Sequence, residues 1–191
     1  MGKIKVHEFA TVDASIGAPM WTMDFPWTPE QTEDTAALTA GAAAILLGRT
    51  TYEMFAPAWS QRTVEDDPGA PFFNDTHKYV VSSTLTDPSW GPASVLEYET
   101  ARITRLKEEV DGDIYVSGSA SLVRALLTDG LVDELHLFVH PVMAGSGPYL
   151  GPHDGGPQTR LTLLGSTTYA NGVVHLVYGP ALPAAGGTQA D

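Results

Sequence analysis

An unbroken apolar run, Ala43 to Leu47, stops at Gly48 and Arg49, and Thr50-Thr51-Tyr52-Glu53 follows with no linker between. The run has the length and composition of a buried strand, and Gly48 lets the backbone turn or be approached closely where a side chain would obstruct. Thr50 with Glu53 three residues on reads as a capping box, so a helix is expected to open at Thr50 with its first N–H groups pointing outward. The same unit returns later: Ile114-Tyr115-Val116 is a strand, Ser117-Gly118-Ser119 a turn, and Ser121 to Asp129 a helix ended by Gly130. Beside an arginine, the first junction is a candidate phosphate cradle. It is equally an ordinary strand-to-helix turn with a solvated arginine, and these residues alone leave both readings open.

The remaining chain continues the alternation. Ile4 to Phe9 is a first strand, and Ala10 to Met20 a loop carrying Asp13, Gly17 and Pro19. Thr28-Pro29-Glu30-Gln31 offers an N-cap, a proline at the first helical position and a capping glutamine, so a helix is expected to about Gly41. The helix containing Tyr52 is expected to end near Ala56, before Pro57. Gln61 to Asp75 reads as polar, with 65–69 as a mobile loop. Strands are expected over Lys78 to Ser82, Ser94 to Tyr98 and Leu135 to Met143, and a helix over Ala101 to Val110 with Ile103, Leu106 and Val110 on one stripe. Leu161 to Tyr169 and Val173 to Tyr178 flank Asn171-Gly172, a strong hairpin signal, so that pair is antiparallel. Residues 180–191 read as a disordered tail and 1–179 as one domain. Alternating strands and helices imply an α/β domain with a mainly parallel sheet, made mixed by the C-terminal hairpin. In such sheets ligands sit at the carboxyl ends of the strands, where Asp13, Arg49, Ser82 and Gly118 all fall.

Composition removes several classes of function. A net charge of -13 with only ten Lys and Arg argues against a nucleic-acid surface, so any anion site must be local. With no cysteine there is no disulfide framework and no cysteine nucleophile. No run approaches ~18 apolar residues, so no membrane span is expected, and a cytoplasmic protein is. His136 and His140 on one strand would lie about 13 Å apart, too far to share a metal ion by themselves.

Gly48-Arg49-Thr50-Thr51, Ser82-Ser83 and Gly118-Ser119-Ala120-Ser121 together offer a guanidinium, hydroxyls and two helix N-termini, the donors a dinucleotide phosphate group needs. The same residues match a family. Gly48 to Glu53 resembles the G-R-x-T-x-E stretch of dihydrofolate reductases, and Val12-Asp13-Ala14-Ser15-Ile16-Gly17 resembles their loop after the first strand. Val81-Ser82-Ser83 resembles the serines that face the adenosine 2′-phosphate, and Ser117 to Leu122 the pyrophosphate turn. Val132-Asp133-Glu134-Leu135 and Pro141 to Leu150 are similar to the riboflavin-pathway reductase (RibD C-terminal) branch.

The resemblance, over about Lys3 to Gly179, implies a dihydrofolate reductase-like three-layer α/β fold, with helices on both faces of the sheet. It implies an NADPH-dependent reductase delivering hydride to a pteridine, pyrimidine or related small heterocyclic substrate, like 5-amino-6-(5-phosphoribosylamino)uracil reductase. Carried over by position, Arg49, Ser82 and Ser83 hold the 2′-phosphate, Thr51 and Ser119 to Leu122 the pyrophosphate, Ile16 and Gly17 lie near the nicotinamide, and Gly48, Thr50 and Gly118 complete the cofactor-binding set. Asp13 stands where that branch keeps an aspartate beside nicotinamide and substrate; its alternative is an Asx turn. The first-helix carboxylate of dihydrofolate reductases falls near Gln31 or Thr32, with Glu30 and Glu33 as neighbours that also suit a first-turn dipole partner. Trp21, Trp27 and Tyr149 are candidates to stack on a flat substrate, or to pack in the core. A non-catalytic ligand-binding protein is the rival expectation and a dimeric structural module a third; a homodimer is expected, paired through the apolar C-terminal strands and hairpin.

Overall fold

The computed structural model describes residues 1–17, 19–151 and 158–181. Eight strands form one sheet: β1 (Ile4–Thr11), β2 (Ala42–Gly48), β3 (Lys78–Val81), β4 (Ala93–Leu96), β5 (Asp113–Val116), β6 (Glu134–His140), β7 (Leu161–Thr168) and β8 (Val174–Pro180). Their order is β4-β3-β2-β5-β1-β6-β8-β7. All pairs from β4 to β6 are parallel, whereas β8 runs antiparallel to both β6 and β7. The helices are α1 (Pro29–Ala40), α2 (Arg49–Trp59), α3 (Ala70–Asp75), α4 (Thr100–Glu109) and α5 (Ala120–Thr128).

The expected α/β architecture, with helices on both faces and a C-terminal antiparallel hairpin, is the one observed. Strand alternation explains the layers. Ile4 and Val6 of β1, Ala44 and Leu46 of β2 and Ile114 and Val116 of β5 point to one side, where Ile103 and Leu106 of α4 and Leu122, Val123 and Leu126 of α5 complete a core. Ile45, Leu47, Val80 and Tyr115 point to the other, against Tyr52 of α2 and Phe72 and Phe73 of α3. Beside them Leu38 of α1 covers Phe138, Tyr169 and Val173.

Several local expectations are corrected. The Thr50–Glu53 capping box does not form: α2 opens at Arg49 behind Gly48, with no side-chain cap bond. The Glu53 carboxylate pairs instead with Arg49 one turn earlier. Pro57 lies inside α2, which runs on to Trp59. The proline removes a single N–H, and Trp59 stacks on Phe73 with ring centroids 4.2 Å apart, which holds the final turn in place. The supposedly polar 61–75 stretch contains α3, and its turn is pinned by Asp66, which accepts from the Thr63 N–H at 2.9 Å, and by Asp67, which accepts from the Gly69 N–H at 2.8 Å. β6 ends at His140, since Pro141 cannot donate to the ladder. Of the tail expected over 180–191, Pro180 closes β8 and 182–191 lie outside the described residues. Among the described residues no helix is long and apolar enough to cross a membrane.

Candidate functional site

Because β1, β2, β3 and β5 are parallel, their carboxyl ends share one edge, which brings Asp13, Arg49, Ser82 and Gly118 to it. Arg49 is half exposed. Its Nε donates to Glu53 Oε1 at 2.7 Å, and an Nη donates to the Thr84 hydroxyl. Ser82 Oγ accepts from the N–H groups of Thr84 (3.1 Å) and Leu85 (2.9 Å), so Ser82 shapes the turn that leaves Ser83 and Thr84 exposed beside Arg49. Thr50 is also exposed.

The two strand-to-helix junctions touch. The Gly48 N–H donates to the Gly118 carbonyl at 3.3 Å. A Cβ on Gly48 would stand 2.1 Å from Ser119 Oγ, and one on Gly118 (φ +71°) would stand 2.7 Å from the buried Thr51 Oγ1. The Gly118–Ser119 peptide is cis. Ser119 precedes α5 without capping it and shares a 3.1 Å hydrogen bond with the Ser121 hydroxyl. Neither α2 nor α5 therefore has a side-chain cap, and both present first-turn N–H groups at this edge. Ala120 and Leu122 can offer only backbone there, since Leu122 buries its side chain in the core.

Asp13 is engaged in holding a loop. Its carboxylate accepts from the Thr11 hydroxyl (2.5 Å) and from the N–H groups of Ala144 (3.0 Å) and Gly145 (2.8 Å). These bonds hold its pKa down, at about 2, so it stays ionised and is a poor proton carrier at neutral pH. Ile16 donates to the Pro148 carbonyl at 2.9 Å, and Ser15 bridges to Tyr149. A Cβ on Gly17 would stand 2.2 Å from Pro148 Cδ, so the same loop pair closes only over a glycine. Asp13→Ala is expected to speed amide exchange at Ala144 and Gly145 selectively; unchanged protection there would show that Pro148 and Tyr149 suffice.

Next to this edge lies a cavity of about 570 Å³ between α1, α2, α3 and the sheet. Trp27, Trp59, Phe72 and Phe73 supply flat apolar walls, and Thr32, Thr35 and Thr39 of α1 supply hydroxyls. Arg62, stacked over the Trp59 ring at 4.9 Å, stands at its rim with Asp66 and Asp67. Its floor includes His7 of β1 and Tyr115 of β5, with His7 Nδ1 2.6 Å from the Tyr115 hydroxyl and Ser117 bonded to that same oxygen. Of the three aromatic residues expected to stack on a substrate, only Trp27 lines this space. Trp21 lies edge-on to His140 at 4.8 Å, and the Tyr149 carbonyl accepts from Arg124 at 2.7 Å. Glu30 is exposed in the first turn of α1 and is not among the lining residues. Gln31 is fully buried and bonded to Asn171 at 2.9 Å, so the α1 wall carries threonines in place of a carboxylate.

Two ionisable groups at this site lie outside the sequence expectations. His7 is buried and is driven down to about 3 by desolvation and by the nearby His136 and His175, so it is a neutral imidazole. Glu8 is buried under the Gly118 turn, and burial pushes its carboxyl up to about 8 against the pull of the Gly118 N–H. Strand phase alone could have singled out Glu8, which falls in step with Ile4, Val6 and Ala10 on a core face. His136 and His175 pair at 3.0 Å next to Phe138, and His140 Nδ1 lies 3.0 Å from the Phe138 carbonyl. Among the described residues no group of three or more His, Cys, Asp or Glu could hold a metal ion.

The model of the RibD C-terminal domain family matches residues 3–175. The chain belongs to that family. YyaP of Bacillus subtilis (strain 168), an uncharacterized protein, is 29% identical over 140 residues, 70% of this chain and 72% of its own. Among solved structures, a putative riboflavin biosynthesis protein from Shewanella sp. PV-4 superposes with a TM-score of 0.77 at 16% identity, covering 94% of this chain and 99% of its own. The riboflavin biosynthesis reductase Rib7 of Saccharomyces cerevisiae gives 0.60 at 16% identity, covering 94% and 90%. At these identities the likeness is one of fold.

Proposed function

We propose that the protein is an NADPH-dependent reductase that transfers hydride to a small, flat heterocycle held in the 570 Å³ cavity. One observation carries the reading: Tyr115 and Ser117 line the cavity, and the next residue, Gly118, begins the uncapped turn on the nucleotide edge. A ligand in the cavity and a dinucleotide along that edge therefore meet at the end of β5. The donor set fits the nucleotide. Arg49 and Ser83 would take the 2′-phosphate, and the first turns of α2 and α5 with Ser119 would take the pyrophosphate. The close-set glycines 48 and 118 let those backbones approach one another. When bound, reduced nicotinamide supplies the hydride.

The chain's own residues do the rest. Trp27, Trp59 and Phe73 would exclude water around a flat ring. A Tyr115 hydroxyl that receives from Ser117 donates to His7 Nδ1, which puts the imidazole proton on Nε2. The Nε2 itself is buried, so the pair fixes a neutral, uncharged floor beneath the ligand. Arg49→Ala is expected to weaken NADPH by about 1.5 kcal/mol, the lower end for a charged hydrogen bond, because the guanidinium is half exposed. NADH should be affected less. Fluorescence titration measures both, and equal wild-type affinity for NADPH and NADH would overturn the 2′-phosphate assignment.

A second reading, ligand binding without turnover, is favoured by the α1 wall, which has Thr32, Thr35 and Thr39 but no carboxylate. NADPH binding with no oxidation across a screen of pteridines, pyrimidinones and related heterocycles would support it. A homodimer is part of the main proposal. The edge strand β7 leaves Leu161, Leu163 and Leu164 exposed, an apolar rim that a second copy could cover. Light scattering giving a monomeric mass would remove it.

A further inference from the structure

Glu8 takes no part in the function just described, yet it stands at the centre of the nucleotide edge. It lies on the β1 face covered by α4 and α5, alongside Leu137 of β6, and is 7% exposed. The Gly118 N–H hydrogen-bonds to it, and its Oε1 has no hydrogen-bond partner among the described residues. A Cβ built on Gly118 would sit 3.8 Å from that oxygen and 2.7 Å from Thr51 Oγ1. Carboxyl, hydroxyl and glycine thus form one contact group directly beneath the turn that joins β5 to α5.

We propose that Glu8, as the neutral acid, is a positioning residue for the Gly118–Ser119 turn, and that its ionisation expels a dinucleotide from that turn. The proposal rests on the nucleotide reading of this edge. As a neutral acid Glu8 accepts the Gly118 N–H through one oxygen and carries a proton on the carboxyl, so no net charge is buried. Ionised, it places an unpaired negative charge under the backbone that must hold a pyrophosphate. That charge repels the phosphates in a weakly screened setting and draws the Gly118 N–H toward itself.

Burial places the change on the alkaline side of neutrality, at about pH 8. Lys78 apart, the neighbouring groups with shifted values are displaced away from that pH. Tyr115 on β5 is pushed above its ordinary range by burial, with Glu8 adding to the shift. Arg49 and Glu53 on α2 pair with each other, and Arg124 on α5 bonds the Tyr149 carbonyl. His7 on β1 and His136 and His140 on β6 are all lowered by burial and stay neutral throughout. Lys78 on β3 does lose its proton at about 8, but it is held by the Asn74 and Thr76 carbonyls under Trp90.

The test is titration of the full chain with NADPH, and separately with adenosine 2′-monophosphate, about one unit below and about one and a half units above pH 8. Wild-type affinity for NADPH should fall about tenfold or more at the higher pH. The monophosphate, which reaches Arg49 and not the turn, should change less than about twofold. Glu8→Gln, neutral at every pH, should bind NADPH like the wild type at the lower pH and lose the alkaline fall; Glu8→Ala should bind weakly at both. A wild type with pH-independent NADPH affinity, or a Glu8→Gln variant that keeps the alkaline fall, overturns the proposal and leaves the nucleotide reading intact. Absence of NADPH binding at both pH values overturns the nucleotide reading, and the proposal with it.

Discussion

Gly118→Ala is expected to cost about 2 to 5 kcal/mol of folding stability and to remove measurable NADPH binding. The residue sits at φ +71°, where an L side chain costs about 1 to 2 kcal/mol, and the new Cβ would lie 2.7 Å from Thr51 Oγ1. Overpacking of that kind adds about 1 to 3 kcal/mol. Thr51 is buried and cannot swing aside freely, so the turn itself must move. Movement there displaces the start of α5 and the oxygen that receives the Gly48 N–H, so both helix junctions are disturbed together. Urea unfolding and NADPH titration read the two effects. A variant with an unchanged unfolding midpoint and full affinity would show that the Gly118 turn neither strains under a side chain nor contacts the cofactor.

Phe138→Ala is expected to destabilise by about 3 to 5 kcal/mol, the cost of emptying a large aromatic site that cannot collapse. Phe138 is fully buried on β6. It stacks on His175 at 4.1 Å and meets His7 edge-on at 4.9 Å, so several rings lose their packing partner. The same rings give this core a pH dependence. Burial lowers the pKa values of His7, His136, His140 and His175. A lowered histidine pKa means that the unfolded chain takes up protons first. The stability from keeping these rings neutral is whole above the unfolded value of 6.5, and is lost as pH falls from there toward the folded value, about 3 for His7. The wild type should therefore weaken progressively below about pH 6.5. Phe138→Ala, which lets water reach the rings, should show a shallower acid dependence along with its lower midpoint. Equal slopes in the two proteins would show that the histidines are not protected by Phe138.

The strand-to-helix junctions were legible because each rests on local chemistry. Apolar runs, a glycine, and hydroxyls at helix starts can all be read without knowing what lies across the sheet. Thr28 caps α1 by accepting from the Gln31 N–H, as the local pattern predicts. The misreadings share the opposite cause. Pro57 did not stop α2 because Trp59 finds Phe73, and Glu53 did not close a capping box because Arg49 was the stronger partner. Asp13 likewise depends on distant partners. The carboxylate binds the backbone of residues more than a hundred positions away, and no local pattern reports that.

By itself, then, the sequence determined the alternation of strands and helices, the hairpin at Asn171-Gly172, and the gathering of Arg49, Ser82 and Gly118 at one sheet edge. Each follows from periodicity and turn chemistry within a dozen residues, plus the rule that parallel strands end together. The long-range packing alone turns Tyr115, Ser117 and His7 to a cavity, keeps Trp21 and Tyr149 from lining it, and buries the Glu8 carboxyl beneath the Gly118 turn. Those outcomes depend on which face each neighbouring strand and helix covers. Burial, and with it the shifted pKa values of His7 and Glu8, comes from residues distant in the chain.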